Sequence, residues 1–578
     1  MFGLSIYGKI SINMTIAEKY KSIVKEFGSH TALAFLSDDH YKKISYDQLN
    51  AYRRRLADRW HNFGWVKGEK LALMLPNSPE WIISDLSAAT LGIIIVPIHT
   101  TYNSEYIKKI ISHSDSKYLV IHRNYFDKHR AIIEELNLAR IIVVGDSQDL
   151  TGDHVHSWPI LDEDKKLSRL PQNISGDDIH TIVYTSGTTG DPKGVMLSHK
   201  NFIFDTEAAK RNVNITHKDR FFSFLPLSHA FERTAGYYAS IFSGSSIYFA
   251  RSKESIIDDI KKAKPTIINS VPRIFEKIYG KVFDKIDTAS NFKKKIFFKG
   301  LQLAVLKRKK NLGFFKYILW LFLDFIALKK VRAVLGGRLR MAISGGASLD
   351  LKMMRFFENL GIKIIEGYGL TETSPIIAVN SPDNSRPGTV GHAVDCNNVV
   401  INKDKEILVR GTNVMKGYYK SEELTREAVD EKGWLHTGDL GFIDRDGFIS
   451  IIGRAKDVIV LSTGKNIFPE SIENILNESR YISQSMIYGD NHKHISALIV
   501  PNFEQLKKWC IKHNLKFDLD DERIIHFYED KLNQRLKDHA KVEQINHFKL
   551  LPEEFSQENG FLTPTLKLKR YKILKKYN

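Results

Sequence analysis

Short apolar runs alternate with helical apolar patterns along most of this 578-residue chain. Residues 21–77 have the pattern of a helix, a hairpin and a second helix, which ends at Gly64. Residues 70–102 then alternate a strand, a helix and a strand, as in a βαβ unit. The alternation recurs in KYLVIHR, ARIIVVGD, RFFSFLPLSH, SSIYFAR and PTIINSVP. It predicts parallel sheets covered by helices, because an antiparallel sandwich would have few intervening helices.

The pattern changes after Gly388. Residues 388–453 contain short strand-like segments and many turn glycines, which predict a small β-rich subdomain. From Arg454 onward strands and helices alternate again, as in a compact α+β domain. We therefore predict an α/β fold with a large N-terminal domain over residues 1–453, made of two parallel α/β subdomains and the β-rich subdomain. A small α+β C-terminal domain follows over residues 454–578.

The composition is that of an ordinary globular protein, with 43% hydrophobic and 26% charged residues. The two cysteines, Cys396 and Cys510, are far apart and support neither a disulfide framework nor a zinc site. No signal-peptide pattern is found, and no stretch reaches the roughly 18 apolar residues of a spanning helix. These features predict a cytoplasmic protein, either soluble or peripheral at the inner face of a membrane.

The net charge of +18 is compatible with nucleic acid, an anionic membrane or acidic ligands. Residues 293–340 carry ten lysines and four arginines against one acidic residue, Asp324, a net charge of +13. The same window contains FFKYILWLFLDFIAL, residues 314–328. This combination is typical of an interfacial helix on anionic lipid. It is equally typical of a helix that packs on the protein's own core and exposes a basic face, so both interpretations stay open.

The segment Thr181–Lys200 joins a strand-like run to a loop rich in glycine and hydroxyl residues. Glycines allow tight turns with inward N–H groups, hydroxyls add donors, and a lysine adds positive charge, which together suit the phosphates of a nucleoside triphosphate. These groups come from Thr185, Ser186, Gly187, Thr188, Thr189, Gly190, Lys193 and Gly194. A surface turn is the alternative, but a turn does not require so many donors.

The loop is not the common P-loop, because Gly194 follows Lys193 where a P-loop has Ser or Thr. YTSGTTGDPKG, residues 184–194, instead resembles the signature of the adenylate-forming superfamily. That superfamily includes acyl-CoA synthetases, firefly luciferases and the adenylation domains of peptide synthetases. The resemblance implies that this loop binds ATP and that the small C-terminal domain is mobile.

The segment LPLSHAFER, residues 225–233, brings His229 to a strand end. A lone histidine is more often structural than functional. The resemblance implies that His229 lies near the reacting carboxylate. The Phe-Glu-Arg sequence after it, together with the basic insertion at about residues 280–340, resembles the long-chain fatty-acid branch.

Two further segments, SGGASLD at residues 344–350 and EGYGLTETSP at residues 366–375, suit a nucleotide. Gly345 and Gly346 permit close backbone approach, Tyr368 offers a flat face to a purine, and Glu372 offers a hard oxygen ligand for Mg²⁺. The resemblance makes Tyr368 the neighbour of the adenine, Thr371 a phosphate contact and Glu372 the magnesium ligand.

Residues 433–457, GWLHTGDLGFIDRDGFISIIGRAKD, offer groups for a ribose. Asp439 can accept both ribose hydroxyls, and Arg454 can donate to ribose or phosphate. An Asx-turn and a surface ion pair are the alternatives, and the resemblance favours ribose. It also makes Lys456 the hinge between the domains. Gly464, in STGKNIFP, resembles part of the loop that lines the pantetheine channel, with a plain glycine turn as the alternative.

The C-terminal segment contributes a further cation. The reaction brings a carboxylate to an α-phosphate, so a cation must touch both anions. TPTLK, residues 563–567, resembles the family's lysine motif and makes Lys567 that cation. Because Lys569, Arg570 and Lys572 follow closely, a solvated basic tail is the alternative.

The resemblance covers nearly the whole chain, with the motifs in the family's order. It implies an acid–thiol ligase that uses ATP and Mg²⁺ to form an acyl-adenylate and transfers the acyl group to coenzyme A. Its substrate would be a long-chain fatty acid, and its catalytic residues His229, Glu372 and Lys567. Acyl carrier protein is the alternative acceptor. A nucleic-acid-binding function is disfavoured because the usual motifs are missing, and a silent nucleotide binder because the residues that the chemistry needs are present.

Overall fold

A computed structural model describes residues 11–146, 149–150, 152–159, 170, 173–186, 192–346, 349–556, 558–563 and 568–577. Gly187, Thr188, Thr189 and Lys567, all predicted site residues, lie outside these ranges. The chain forms two compact units. The first comprises residues 1–399, 409–436 and 445–449, and the second residues 400–408, 437–444 and 450–578. The predicted domain boundary at residue 453 stays a prediction.

Strands are spread over the whole described chain. In chain order they are β1 Thr31–Ser37, β2 His40–Ser45, β3 Lys70–Met74, β4 Ile94–Pro97, β5 Ser116–His122, β6 Arg140–Val144, β7 Val155–Ser157, β8 Ile179–Ser186, β9 Pro192–Ser198, β10 Arg220–Ser223, β11 Ser246–Phe249, β12 Ile267–Ser270, β13 Met341–Ser344, β14 Lys363–Tyr368, β15 Ala378–Val379, β16 His392–Ala393, β17 Asn397–Ile401, β18 Glu406–Gly411, β19 Gly417–Tyr418, β20 Leu435–Ile443, β21 Ile449–Arg454, β22 Ile459–Val460, β23 Asn466–Ile467, β24 Ile482–Tyr488, β25 Ile495–Pro501 and β26 Ile545–Leu550.

Helices connect these strands. The α-helices are α1 Ile16–Phe27, α2 Tyr46–Asn62, α3 Pro79–Leu91, α4 Ser104–Ser114, α5 Arg123–Glu134, α6 His199–Val213, α7 Ala239–Ile241, α8 Ile256–Ala263, α9 Pro272–Asp287, α10 Asn291–Arg308, α11 Phe314–Leu323, α12 Lys329–Val334, α13 Leu351–Asn359, α14 Glu422–Ala428, α15 Pro469–Asn477, α16 Phe503–Lys512, α17 Glu522–Leu536 and α18 Arg570–Tyr577. Two π-helices span Glu232–Tyr238 and Asp324–Leu328, and 3₁₀ turns span Thr371–Thr373, Ala455–Asp457 and Lys541–Glu543.

The first unit holds two sheets that are mainly parallel. The nine-stranded sheet has the order β16-β15-β14-β13-β12-β10-β11-β1-β2 and is parallel from β14 to β1. The eight-stranded sheet has the order β19-β9-β8-β4-β3-β5-β6-β7 and is parallel from β8 to β7. Antiparallel strands lie only at the edges of both sheets among the described residues. The predicted α/β class and the N-terminal helix, hairpin and helix are confirmed.

Helix α3 illustrates why the first unit has a large core. Ser78 caps its N-terminus, Pro79 occupies its first position, and Gly92 ends it in the left-handed region with φ of 69°. Its residues are apolar on nearly every side, so all of the helix except Glu80 and Thr90 is buried. Asp85, on this helix, is consequently a carboxylate with no access to solvent.

The second unit is a smaller α+β structure, as predicted. Strands β24 and β25 are antiparallel, and β26 adds to β25 in parallel. Helices α15, α16 and α17 contribute Leu476, Leu506 and Tyr528 to its core. Helix α18 is anchored by Ile573, which is fully buried. Strands β17, β18, β20 and β21 form the four-stranded sheet of the predicted β-rich segment.

Two further predictions can be compared with the structure. Among the described residues, no helix has both the length and the apolar character that crossing a bilayer requires. Cys396 and Cys510 are both buried and not disulfide-bonded.

Candidate functional site

The predicted residues of the first unit follow the carboxyl ends of neighbouring parallel strands. Strand β10 leads into the segment with His229, β13 ends just before Gly345 and Gly346, and β14 ends at Tyr368. The strands are in register, with Ser344 paired to Glu366. The carboxyl ends of such strands lie at one edge of the sheet, where open α/β sheets bind their ligands. The fold therefore brings three of the predicted segments to one edge.

Lys193 lies on the β8–β9 hairpin, where it pairs with Thr185. The residue after it, Gly194, cannot be larger, because a Cβ there would lie 2.8 Å from Ile182. Strand β9 also pairs with β19, and this places the Lys193 ammonium 5.6 Å from the centre of the Tyr418 ring. The distance is that of a cation–π contact. The backbone of Ser186 lies at the end of β8 beside this lysine.

Tyr418 also contacts the predicted magnesium ligand. Its hydroxyl donates to Oε1 of Glu372 at 2.8 Å. Burial, and then the Glu372 carboxylate, raise the pKa of the Tyr418 hydroxyl well above its usual value, so it remains a donor. Lys193 and Glu372, from two different predicted motifs, therefore share one tyrosine. The sequence gives no signal for Tyr418, because the β9–β19 pairing that positions it joins distant parts of the chain.

The segment after Glu372 is fixed by hydrogen bonds from several elements. The Thr234 hydroxyl donates to the carbonyl of Ser374 at 2.6 Å. The Ile376 N–H donates to Asp205 at 3.0 Å, and Asn413 donates to the Ile376 carbonyl at 2.7 Å. Thr371 and Glu372 lie on the short 3₁₀ turn that this segment continues. The carboxylate of Glu372 is thus held on a rigid support.

The segment with His229 packs against the glycines after β13. His229 is exposed, and its backbone N–H donates to the Pro226 carbonyl at 2.9 Å. The Phe231 ring lies so near Gly345 that a Cβ there would be 3.1 Å from the ring. Gly346 has φ of +87°, a conformation that other residues rarely adopt. The Phe231 ring therefore limits position 345 to glycine and the backbone conformation favours glycine at position 346, while their place beside a nucleotide stays a prediction.

His99 is a neighbour of His229 for which the sequence gives no specific signal. It lies just after the carboxyl end of β4, which is a strand of the eight-stranded sheet. Burial, and then the nearby His229 and Lys253, lower the pKa of His99 to about 4. His99 is consequently neutral at ordinary pH.

Glu232 is a buried carboxyl group to which the sequence assigns no role. Its side chain accepts hydrogen bonds from Ser223 at 2.7 Å and from Asn269 at 3.2 Å. Burial raises the pKa of Glu232 to about 8. A Cβ on Gly236 would lie 2.7 Å from this carboxyl group, so only glycine fits at position 236, which is one turn after Glu232 on the π-helix. Glu232 ties the π-helix to the ends of β10 and β12.

The next residue, Arg233, belongs to a fully buried polar network. Its guanidinium contacts Asp85 and donates to Thr181 at 2.8 Å. Tyr238 donates to Asp85 at 2.6 Å, and His180 lies 3.1 Å from it. Burial alone would raise the pKa of Asp85, but Arg233 and His180 lower it below its usual value. This network joins α3, β8 and the π-helix inside the core.

In the second unit the structure brings Asp439 and Arg454 together. Arg454 Nε lies 2.8 Å from Asp439 Oδ1, and Asp439 is only 4% exposed. Asp439 is therefore enclosed, whereas the Arg454 side chain of the pair is 29% exposed. Lys456 is exposed on a 3₁₀ turn, and Gly464 forms a turn with φ of +76°. Ribose binding, the hinge and the pantetheine loop stay predictions.

Lys567 lies outside the described residues, but its flanks are fixed. Leu562 and Leu568 form an antiparallel bridge, and the Lys569 N–H donates to the Phe561 carbonyl at 2.8 Å. Arg570 forms two hydrogen bonds with Glu473, at 2.7 and 2.6 Å. Residues 561–562 and 568–570 are thus anchored to the second unit, and the role of Lys567 stays a prediction.

Comparison with known proteins gives the family. A family model described as AMP-binding enzyme matches residues 21–419, and one described as AMP-binding enzyme C-terminal domain matches residues 456–577. The chain belongs to the AMP-binding enzyme family. The resemblance to adenylate-forming enzymes is thereby confirmed for this AMP-binding enzyme.

Two relatives and one solved structure show the extent of the similarity. The long-chain-fatty-acid–CoA ligase FadD15 of Mycobacterium bovis is 31% identical, over 89% of this chain and 88% of the relative. The long-chain-fatty-acid–[acyl-carrier-protein] ligase AEE15 of Arabidopsis thaliana is 29% identical, over 97% and 85%. The O-succinylbenzoate coenzyme A synthetase (MenE) of Bacillus subtilis, in complex with ATP and magnesium ion, has the same fold. Its TM-score is 0.69 at 21% identity, over 96% of this chain and 99% of that chain.

Proposed function

We propose that this AMP-binding enzyme is an ATP-dependent long-chain fatty acid–CoA ligase. The observation that carries the proposal is that Lys193 lies over the Tyr418 ring while Glu372 accepts a hydrogen bond from the hydroxyl of the same tyrosine. A cation and a carboxylate held this close suit a magnesium-bound triphosphate, because the lysine can attract a phosphate while the carboxylate holds the metal. The similarity to the FadD15 ligase supports the choice of acid and acceptor.

The residues present fit a magnesium ion. Mg²⁺ is usually bound by one or two carboxylates together with substrate phosphates and water, and needs no cluster of protein ligands. Glu372 would hold it, since one oxygen accepts from Tyr418 and the carboxylate keeps further lone pairs. When bound, the ion neutralises charge on the phosphates. Thr185, Ser186, Gly187, Thr188, Thr189, Lys193 and Thr371 are the proposed phosphate contacts, with Tyr368, Gly345 and Gly346 beside the adenine.

The acid is proposed to enter beside His229. This histidine is exposed at the carboxyl edge of the nine-stranded sheet, and Phe231 and Gly345 fix its segment. An imidazole there can donate a hydrogen bond to the incoming carboxylate. The neighbouring His99, with its pKa lowered to about 4, is neutral at ordinary pH and adds no positive charge beside this group.

The second unit is proposed to supply the remaining groups. Asp439 and Arg454 would bind the ribose, and Lys567 would contact the carboxylate and the α-phosphate together. Rotation at Lys456 would then withdraw Lys567 and present Gly464 to the pantetheine of coenzyme A. The thiol would attack the acyl carbonyl and AMP would leave. A cytoplasmic location stays a prediction.

The test is pyrophosphate release measured across acids from acetate to oleate, with and without coenzyme A. We expect the highest kcat/KM with long-chain acids, and acyl-CoA formation only when coenzyme A is present. Release that is highest with acetate would contradict the acid class, and the absence of release with every acid would contradict adenylation.

Acyl carrier protein is a second candidate acceptor, favoured by the similarity to the AEE15 ligase. The two acceptors are separated by offering coenzyme A and acyl carrier protein to the same enzyme with one acid. Faster acyl transfer to the carrier protein would replace coenzyme A in the proposal while leaving adenylation intact.

The role of Lys567 has its own test. Lys567→Ala should abolish adenylation and spare thioester formation from acyl-adenylate supplied ready-made, because the lysine acts in the first step alone. Lys572→Ala, in the same basic segment, is the matched control and should keep both steps. Equal loss of both half-reactions in Lys567→Ala would refute the assignment.

A further inference from the structure

Residues 291–334 form a helical hairpin made of α10, α11, the π-helix Asp324–Leu328 and α12. One face of this hairpin packs into the protein. Phe297, Ala304 and Leu328 are at most 3% exposed and join a core cluster with Ile268 and Ala342 of the nine-stranded sheet. The hairpin is therefore firmly attached to the first unit.

A second face of the same hairpin is apolar but exposed. Phe314 is 72% exposed, Phe315 85%, Ile318 49%, Phe322 61% and Phe325 64%. These positions are spaced so that they share one side of a helix with 3.6 residues per turn. Tyr317, Leu319 and Leu321 flank this side and are also exposed. Monomeric proteins rarely expose a continuous apolar face of this kind without a binding partner.

The two interpretations of the basic segment can now be separated. Packing on the protein's own core accounts for the inner face only. It predicts that the outer face of residues 314–328 is polar and solvated, whereas that face carries four phenylalanines. The core interpretation therefore leaves the exposed aromatic residues unexplained.

Positive charge surrounds this apolar face. Lys309 and Lys310 precede it, Lys329 and Lys330 follow it, and all four are exposed. Helix α10 presents a further face with three more lysines, at positions 294, 295 and 299. The one acidic residue of the hairpin, Asp324, is neutralised by Arg332 through hydrogen bonds of 2.7 and 2.5 Å.

We propose that the outer face of this hairpin docks on an anionic lipid bilayer. Fifteen residues, 314–328, make a helix of about 22 Å at 1.5 Å per residue, too short to cross a hydrocarbon core of about 30 Å. The helix instead lies in the interface, with its phenylalanines among the acyl chains and its lysines at the headgroups. Lys307 covers the Trp320 ring at 3.6 Å, which keeps that tryptophan on the protein side of the helix.

This inference deepens the proposed function, because a bilayer is the place where a long-chain acid partitions. It does not depend on the chemistry, since the exposed face exists whatever reaction the enzyme catalyses. A failure of either proposal is recognised separately: lipid binding is measured without substrates, and ligase activity is measured on acid supplied in detergent micelles.

The test is cosedimentation of the full-length protein with vesicles. Phosphatidylcholine vesicles containing about one third phosphatidylglycerol are compared with vesicles of phosphatidylcholine alone. We expect the protein to bind the anionic vesicles and to bind the neutral ones at least tenfold more weakly. Phe315→Glu/Phe322→Glu should lower binding to the anionic vesicles at least tenfold, because it places charge in the apolar contact.

Matched controls separate this effect from a general change of charge. Val66→Glu/Ile511→Glu adds the same charge at residues that are 55% and 76% exposed outside the hairpin, and should bind vesicles like the wild type. Lys310→Gln/Lys330→Gln should weaken binding to anionic vesicles about fivefold for each lysine. The same lysine variant should leave binding to neutral vesicles unchanged.

Three outcomes would overturn the proposal. The first is a wild-type protein that does not bind anionic vesicles. The second is equal binding by Phe315→Glu/Phe322→Glu and the wild type. The third is a dimer by light scattering that this variant converts to a monomer, without vesicle binding by either protein, which would make a second copy of the chain the partner of this face. Micellar ligase activity should stay at the wild-type level in the variant, since neither phenylalanine belongs to the proposed catalytic or binding residues.

Discussion

Two polar clusters of the first unit are neighbours in the fold and differ in burial. Asp85, His180 and Arg233 form a network that is fully enclosed, with each charge facing a partner. Lys193, Tyr418 and Glu372 form a chain that is only half-buried. The groups of the enclosed network are paired with one another and join elements of the core, whereas the half-buried chain presents a cation and a carboxylate to a ligand. Burial and pairing, more than charge itself, separate a scaffold from a site.

Glu232 sharpens this comparison because it is buried like Asp85 but carries a proton at neutral pH, whereas Asp85 is ionised. Asp85 faces a guanidinium, which lowers its pKa, while Glu232 faces only hydroxyl and amide groups, so burial raises its pKa to about 8. Glu232 itself lies on the π-helix, and Asp85 contacts the next residue of that helix, Arg233. π-Helices are rare and often occur at functional sites. Here one connects the scaffold to the segment with His229.

The largest expected effect is on the enclosed network. Arg233→Met removes the guanidinium and leaves the Asp85 carboxylate buried and uncompensated, so we expect the free energy of unfolding to fall by about 3 to 5 kcal/mol. Denaturant unfolding of the full chain measures it. Arg426→Met is the control, because Arg426 is highly exposed in its ion pair, and its loss should be small. A change below about 1 kcal/mol in Arg233→Met would contradict the idea that this network is a scaffold.

The next effect is a pH dependence at Glu232. Its pKa is raised on folding from 4.5 to about 8, so the folded state binds a proton that the unfolded state releases between these values. Wild-type stability therefore falls as the pH rises through this window, and Glu232→Gln removes that fall. Between about pH 5 and pH 7.5 we expect the variant to gain about 3 kcal/mol over the wild type.

The measurement for Glu232 is a series of denaturant unfolding curves over that pH range. Exposed Glu427→Gln is the control and should follow the wild type at each pH. A constant difference between Glu232→Gln and the wild type across the range would mean that Glu232 is ionised in the folded protein, and the contrast with Asp85 would then fail.

Much of the fold follows from the sequence, because buried parallel strands have short runs of apolar residues and helices have apolar residues at helical spacing. The segments around Lys193, Tyr368 and Glu372 are also visible as local strings. Tyr418 is not, since it reaches Glu372 only after β19 pairs with β9. The Asp85 network is equally invisible, because its members are about 95 and 148 positions apart in sequence. Local patterns do not specify such long-range partners.

The helical hairpin of residues 291–334 shows a different limit. Residues 314–328 are apolar almost without interruption, so periodicity does not distinguish the face that packs from the face that is exposed. Leu328 is fully buried and Phe325 is 64% exposed, although both are large and apolar. Only the tertiary structure assigns each residue to its side.

A smaller effect concerns the half-buried chain. Tyr418→Phe keeps the ring under Lys193 and removes the hydrogen bond to Glu372. We expect pyrophosphate release to fall about tenfold, since one hydrogen bond to a charged group is lost, with little change in the free energy of unfolding. Tyr419→Phe is the matched control, because the adjacent hydroxyl donates to Asp115 at 2.7 Å, and its activity should be unchanged. Equal activities of the two variants would remove Tyr418 from the site.

The smallest effect tests whether the two clusters communicate. Thr234, next to Arg233 on the π-helix, donates to the Ser374 carbonyl two residues after Glu372. Thr234→Val keeps the shape of the side chain and breaks this link. If the scaffold positions Glu372 through Thr234, the activity losses of Thr234→Val and Tyr418→Phe should not be additive, with a coupling of about 0.5 kcal/mol or more in a double-mutant cycle. Additive losses, measured as kcat/KM for pyrophosphate release, would mean that the enclosed network and the half-buried chain act independently, because each would then fix its own residues without the other.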